Sequence, residues 1–306
     1  MPSPPPDTPT RCGTIVFAGK PNAGKSTLLN AFVGAQLAIT SAKPQSTRQR
    51  VIGIRTDGSS QLVFVDPPGL LEPHYLLQET MLDEAIEVLR GADAILYLHR
   101  AGDAPTPPLE SLVPAGSLRG QPVATVYTAV DTIARDVWPH VSPPVFRVGF
   151  LTEEHSGKHA DLGLDDLLQW CHAQIPTAPF RYDPEDLSTQ PMRFFVAEFI
   201  REAALELLHE ELPYSLAAGV DEFRESSDPV YIRVTIFVER ESQKGMVIGA
   251  GGRTIKKIGA AARERIEKLL GVSIYLDLWV KVLPRWRKSP HLLRELGFSP
   301  PPQRRS

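Results

Sequence analysis

Residues 19–26, Gly19-Lys20-Pro21-Asn22-Ala23-Gly24-Lys25-Ser26, satisfy the pattern GxxxxGK[ST] in full. No other stretch limits so tightly what the chain can fold into. The glycines let the backbone curl until several N–H groups point at one anion. Lys25 brings a flexible cation to the outer phosphates, Ser26 offers a hydroxyl to Mg²⁺, and the helix that starts there aims its positive end at the same charge. The context fits. The apolar run Thr14-Ile15-Val16-Phe17-Ala18 reads as a buried strand leading in, and 27–33 as a helix leading out. The candidate nucleotide contacts here are Asn22, Ala23, Gly24, Lys25, Ser26 and Thr27.

A chain of 306 residues suffices for two ordinary domains, and 42% apolar with 23% charged residues is normal for a soluble globular protein. No apolar run approaches the roughly 20 residues that span a bilayer, and the proline-rich, polar start does not read as a signal peptide. Cys12 and Cys171 lie far apart and form no metal or redox pair, which fits a reducing cytosol. Charge is unevenly spread. Residues 1–177 carry 13 Lys and Arg against 18 Asp and Glu, a balance of −5, while 244–306 carry 14 against 4, a balance of +10. A basic C-terminal block points to a polyanionic partner, most simply nucleic acid, with a solvated basic face and an anionic membrane surface as the alternatives that charge leaves open.

The first half alternates strand patterns (14–18, 50–56, 61–65, 94–99, 123–127, 144–149) with helical ones (25–34, 76–90, 164–174). This alternation predicts an α/β domain, a doubly wound, mostly parallel sheet with helices on both faces. Prolines 176, 179, 184 and 191 punctuate a polar stretch that reads as a linker. Beyond it a smaller α+β pattern follows: a helix over 192–209, strands near 215–225 and 229–239, a tight turn at 247–252, a helix over 254–270 and a strand over 273–282. The expected organisation is a tail at 1–10, a first domain at 11–176, a linker at 177–190, a second domain at 191–298 and a tail at 299–306, both tails disordered.

The third strand ends in Asp66-Pro67-Pro68-Gly69. A carboxylate at a strand end, then glycine, suits a Mg²⁺-linked acid followed by a backbone N–H facing a γ-phosphate. Between this and the first motif lies the polar, mobile-looking stretch Ser41–Arg48. A switch loop needs a hydroxyl that reaches Mg²⁺ when the γ-phosphate is present; Thr47 is the first choice and Ser46 the second. Ser26, Thr47 and Asp66 are thus the candidate metal ligands. His155, His159 and Asp161 have metal-like spacing but read as a solvated loop.

GKPNAGKSTLLN, ITSAKPQSTRQRVIGI and DPPGL resemble the Era GTPases, ribosome-assembly factors related to Ras-like G proteins. In the second half ELPYS, VERESQKGMVIGAGGRTIKKIG and LDLWVKV resemble Era's C-terminal KH domain, of the type II topology. The resemblance runs from residue 11 to about 298 in one register. It implies a cytoplasmic, monomeric GTP/GDP and Mg²⁺ switch that binds small-subunit ribosomal RNA near its 3′ end and acts in 30S assembly. Peripheral membrane contact is a further option for the basic tail. By the same resemblance Lys25 contacts the β- and γ-phosphates, Ser26 and Thr47 hold Mg²⁺, Asp66 holds it through water, and Gly69 senses the γ-phosphate. Asn22 stands where potassium-activated relatives hold K⁺; a turn-stabilising side chain is the equal alternative.

Three positions depart from the pattern. Leu70 follows Gly69 where Ras-like enzymes place a water-orienting glutamine, so unaided hydrolysis should be slow and no catalytic residue is assigned. Guanine is normally read by Asn-Lys-x-Asp; here the residues are Thr128-Ala129-Val130-Asp131, of which Asp131 keeps its two acceptors. Each lost contact should cost about 1–3 kcal/mol. Gly149-Phe150 is the best equivalent of the segment whose backbone meets guanine O6. An RNA-binding assembly factor with a weak or non-selective nucleotide site, a pseudo-GTPase, therefore stays open beside the GTPase reading.

The GxxG turn Gly249-Ala250-Gly251-Gly252 lets a nucleic-acid backbone approach the main chain, and an adjoining strand can supply an apolar floor for single-stranded bases. Its loop lacks a basic residue. Phosphate attraction is expected from Arg253, Lys256, Lys257, Lys281, Arg285, Arg287 and Lys288, with Gly249 and Gly252 shaping the turn. Trp279 and Trp286 could stack on bases, although Trp279 within its strand is expected to pack in the core.

Overall fold

A computed structural model describes residues 9–41, 43–103, 105–134, 144–150, 161–209 and 212–301. The tail at 1–8, most of that at 299–306, and His155 and His159 lie outside the described residues. The chain divides into two compact units: one of 1–38, 47–72 and 81–189, the other of 39–46, 73–80 and 190–306.

The first unit is built on a six-stranded sheet of order β2-β3-β1-β4-β5-β6. Its strands are β1 (Arg11–Ala18), β2 (Val51–Asp57), β3 (Ser60–Asp66), β4 (Ala94–Arg100), β5 (Val123–Thr128) and β6 (Val145–Arg147). All pairings are parallel except β2 with β3. The helices are α1 (Lys25–Val33), α2 (Leu76–Arg90) and α3 (Leu164–Gln174); a two-stranded ribbon joins β7 (Gly149–Phe150) to β8 (Asp161–Leu162). β1 is buried on both faces, as its unbroken apolar run requires of a central parallel strand. Phe17 packs with Phe64 and with Phe32 of α1; the Phe32 and Phe64 rings lie 4.8 Å apart. The alternate residues Val16, Ala18 and Val65 pack with Ala85 and Leu89 of α2, so the two helices cover opposite faces. β1 has β3 on one side and β4 on the other, so the order reverses beside it, and the loop leaving its carboxyl end opens into the crevice where such sheets bind ligands.

Residues read as a linker run along this unit. The Gln61 side chain accepts from the N–H groups of Arg181 and Tyr182 at 2.9 and 3.1 Å, and Ile54 N–H donates to Leu187 O at 2.8 Å.

The second unit contains α4 (Met192–Leu207), α5 (Leu212–Ser215), β9 (Ala217–Arg224), β10 (Val230–Val238), α6 (Glu241–Ile248), α7 (Arg253–Leu270), β11 (Ile274–Val282) and α8 (Pro290–Glu295). Its sheet has the order β11-β10-β9, with β10 parallel to β11 and antiparallel to β9. Ile232, Val234, Ile236 and Val238 are wholly buried on one face of β10. Ile258, Ala262 and Ile266 of α7 recur every fourth residue and are buried too, the stripe an amphipathic helix presents to its core. The stretch read as a mobile loop before Thr47 is packed within this unit: Thr40 N–H donates to Glu202 at 3.0 Å, Lys43 donates to the carbonyls of Leu205 and Leu208, and Arg201 donates to Ser46 O.

The two tryptophans exchange the roles expected of them. Trp286 is fully buried, its indole N–H donating to Ser215 O at 2.9 Å. Trp279 is 54% exposed. It shares strand parity with Asp277 and Lys281, and Leu278, one residue away, meets Gly259 of α7, so the helices cover the other face.

Candidate functional site

The loop after β1 ends at Gly24, and α1 begins with Lys25, whose side chain is buried. Lys25 Nζ donates to Lys20 O at 3.4 Å, which folds the lysine back across its own loop. Burial pulls the Lys25 ammonium below its ordinary range, with the Asp66 charge opposing. Burial pushes the Asp66 carboxyl up, with Lys25 and the hydroxyls of Ser26 and Thr47 opposing. Both groups are therefore held out of water, poised to gain from a counter-charge.

The three predicted metal ligands converge. Ser26 Oγ donates to Asp66 Oδ2 at 2.6 Å and lies 2.9 Å from Thr47 Oγ1, which is 3.5 Å from the same carboxylate oxygen. Asp66 Oδ1 is buried with no hydrogen-bond partner among the described residues. Two hydroxyls and a carboxylate form the all-oxygen donor set a hard divalent cation prefers, so the residues fit Mg²⁺. Ser46, the second choice, offers its carbonyl to Arg201.

Gly69 lies against the phosphate loop: a Cβ there would come within 2.6 Å of Pro21 N. The next residue, Leu70, is buried and its N–H donates to Gly19 O at 2.9 Å, so it fastens the two loops together by its backbone. Asn22 adopts φ 64°, a left-handed conformation that asparagine tolerates. Thr27 is exposed on the first turn of α1.

The residues expected to read the base lie at the end of β5 and just beyond it. Thr128 ends β5, and its hydroxyl donates to Ala23 O at 2.8 Å. Thr128 thus braces the phosphate loop, a role the sequence showed only as a missing asparagine. Ala129 takes the left-handed conformation (φ 53°) and begins the 3-10 turn that carries Asp131. Gly149 is packed so closely on that turn that a Cβ would meet Asp131 Oδ1 at 2.8 Å, which places its backbone beside Asp131.

In the second unit the Gly249–Gly252 turn joins α6 to α7; α6 is a helix for which sequence reading set no bounds. Gly249, Gly251 and Gly252 all have positive φ, and a Cβ at Gly249 would strike Thr254 Oγ1. Around Gly251 and Gly252 the space is open, so their backbone can be approached. Lys256 and Lys257 are both exposed on the first turns of α7, and Arg253 Nε folds back to Ala250 O at 3.2 Å. Leu276, Leu278 and Val280 on the helix side of β11 are only partly buried, unlike their wholly buried neighbours on β10, and make an apolar floor on a strand that packs against both α6 and α7, the helices the turn joins.

Two expected phosphate contacts are not brought to that floor. Lys281 lies on the opposite face of β11. Arg287 is ion-paired with Glu239, its Nε 3.1 Å from Oε2, and stands over the Tyr75 ring at 5.0 Å.

Residues 14–128 match the family model described as a 50S ribosome-binding GTPase, and 211–287 match the KH domain model. The first match stops at Thr128, where the base-reading motif begins to depart. GTPase Era of Carboxydothermus hydrogenoformans is 37% identical over 299 residues, covering 94% of this chain and 98% of the relative. GTPase Era of Geobacter metallireducens is 37% identical over 297 residues, covering 96% and 99%. Among solved structures, a point variant of Aquifex aeolicus Era bound to GDP·AlF4⁻ superposes with a TM-score of 0.85 at 32% identity, covering 94% of this chain and 99% of that one. Era in complex with MgGDPNP and nucleotides 1506–1542 of 16S ribosomal RNA superposes with a TM-score of 0.83 at 30% identity, with the same coverage. With such likeness along nearly its whole length, and with both domains in place, the chain belongs to the Era GTPase family.

Proposed function

We propose that this protein is a GTP-binding switch that binds small-subunit ribosomal RNA near its 3′ end and acts in assembly of the 30S subunit, with slow GTP hydrolysis. The observation that carries the nucleotide half is the cluster of Ser26, Thr47 and Asp66 oxygens beside buried Lys25. When bound, Mg²⁺ would neutralise charge between the β- and γ-phosphates. Asn22 to Thr27 supply the loop and helix start for the phosphates, Lys25 their counter-charge, and Gly69 a backbone N–H for the γ-phosphate. Asp131 accepts from guanine, with the Gly149 backbone beside it. Buried Leu70 has no polar group with which to orient water, so attack on the γ-phosphate waits on another group. The RNA half rests on the open Gly251-Gly252 backbone, the apolar floor of β11, and the lysines Lys256 and Lys257. A cytoplasmic monomer fits this reading. Among the described residues no helix is long and apolar enough to cross a membrane.

Ala129 in place of the lysine that covers the base favours one rival, an RNA-binding assembly factor whose nucleotide site is weak or non-selective. A calorimetric titration with GTP, GDP, ATP and XTP, with Mg²⁺ and with K⁺ exchanged for Na⁺, separates the two. Binding of GTP and GDP at least tenfold tighter than ATP supports the switch. Equal affinities for all four identify the non-selective site. A K⁺-dependent gain in GTP turnover that Asn22→Ala abolishes would assign the ion to Asn22. RNA binding that anionic vesicles compete away would shift the basic tail to a membrane role.

A further inference from the structure

The outer face of the three-stranded sheet carries an ordered aromatic surface that the nucleotide and GxxG sites do not use. Tyr275 and Trp279 of β11 are 60% and 54% exposed there. Tyr275 stacks on Tyr231 of β10 with ring centroids 5.8 Å apart and planes within 10°, and the Arg224 guanidinium lies over the Tyr231 ring at 4.9 Å. Asp277 Oδ2 accepts from Tyr231 Oη at 2.9 Å, from Trp279 Nε1 at 3.0 Å and from Arg233 Nε at 3.3 Å. The indole N–H is therefore spent on its own strand, and what Trp279 turns to solvent is the ring, held in a fixed orientation. The carboxylates of this face are engaged: Glu222 pairs with Arg224 at 2.5 Å and Arg233 at 3.4 Å, and Asp221 accepts from Thr235 at 2.6 Å. Lys281, two residues beyond Trp279, is exposed and has no anionic partner among the described residues.

Building on the RNA-binding reading above, we propose that this face is a second RNA surface, on which unpaired bases stack against Trp279 and Tyr275 while Lys281 takes a phosphate. Two arguments favour RNA. Fixed aromatic faces beside an uncompensated cation are the composition of a single-strand platform, since every base has a π-face. A protein partner would instead bury a contiguous apolar core, whereas each ring here is flanked by Arg, Asp or Lys. The surface is also continuous with the GxxG groove. β11 is an edge strand whose other side carries Leu276, Leu278 and Val280, so a strand leaving the groove need only cross that edge. Tyr275 and Trp279 are about 13 Å apart along the strand, enough for separate bases. A KH groove grips about four nucleotides, so the platform extends the length of RNA bound.

The test uses the full chain and two labelled oligoribonucleotides from the 3′ end of 16S ribosomal RNA, of about 5 and about 12 nucleotides, chosen to fill the groove alone or to overrun it. Tyr275→Ala with Trp279→Ala should weaken binding of the longer RNA about 10- to 100-fold and leave the shorter one unchanged. Trp279→Phe should retain most of the affinity. Lys281→Glu, at an exposed position that cannot disturb the core, should also weaken only the longer RNA. Equal loss for both lengths, or full retention of the longer RNA by the double variant or by Lys281→Glu, would overturn the proposal. A wild-type chain that bound neither RNA would overturn the RNA-binding reading itself, and loss of both lengths on replacing Lys256 and Lys257 shows that the groove is working.

Discussion

Thr128 shows how one side chain can keep half of a motif. The asparagine usual at its place both braces the phosphate loop and meets the base; the threonine hydroxyl reaches Ala23 O at 2.8 Å and keeps the brace. A buried hydrogen bond of this kind contributes about 0.5–1.5 kcal/mol. Thr128→Ala should therefore weaken GTP and GDP binding about equally, by a few-fold to tenfold, because it loosens the loop that both share. Calorimetry on the two nucleotides checks this, and a loss confined to one of them would mean that Thr128 touches something other than the loop. In the reading proposed above, Asp131 carries the choice of base. Exchanging its acceptor pair for an amide, Asp131→Asn, should move preference from GTP toward XTP, whose base presents a carbonyl where guanine has its amino group. A competition assay in which the order of nucleotides stays the same would remove Asp131 from the reading. The brace was invisible in the sequence because a threonine at a strand end is ordinary; only its distance to a loop more than a hundred residues away makes it a contact.

Trp286 and Trp279 make the same point for strands and caps. Replacing Trp286 with Ala empties a fully buried site and leaves Ser215 O without its indole donor, a loss of about 3–5 kcal/mol. Trp279→Ala removes an exposed ring and should change stability by less than about 1 kcal/mol. Urea unfolding of both variants checks the pair, and a large loss at Trp279 would show that its face is covered after all. The strands and helices of the first half were legible because unbroken apolar runs fit buried parallel strands and period-3.6 stripes fit the covering helices. β1, α1 and β3 fall within a few residues of their expected bounds. The side of β11 was also legible in principle. In Leu276-Asp277-Leu278-Trp279-Val280-Lys281 the tryptophan is in phase with the charged residues, and a period of two places it with them. A tryptophan's prior for the core concealed that signal. The ion pair that occupies Arg287 was not legible, since its partner Glu239 is brought near only by the fold.

A net charge of −3 describes neither half of the chain. The first 177 residues are acidic, yet their loop is built to hold phosphates, because oriented N–H groups and Lys25 act within a few ångströms while the surface charges are screened beyond about 8–10 Å. The basic surplus of residues 244–306 acts differently, as a field that releases counterions from a polyanion. Part of that surplus is already neutralised: Arg265 pairs with Glu206 at 2.6 Å, and Arg287 is held by Glu239. Lys256 and Lys257 stand where α7 leaves the open turn, so they should account for a defined share of the salt dependence. For single strands each neutralised phosphate contributes about 0.7 to the slope of log K against log salt. Lys256→Ala with Lys257→Ala should therefore flatten that slope by about 1.4, measured by anisotropy on a 12-nucleotide RNA across a salt series. Tyr275→Ala with Trp279→Ala should leave the slope as it is while lowering affinity, because stacking releases no counterions. A slope unchanged by the lysine pair would move the phosphate path toward Arg285 and Lys288. A slope flattened by the aromatic pair would mean that those rings position a cation, not a base.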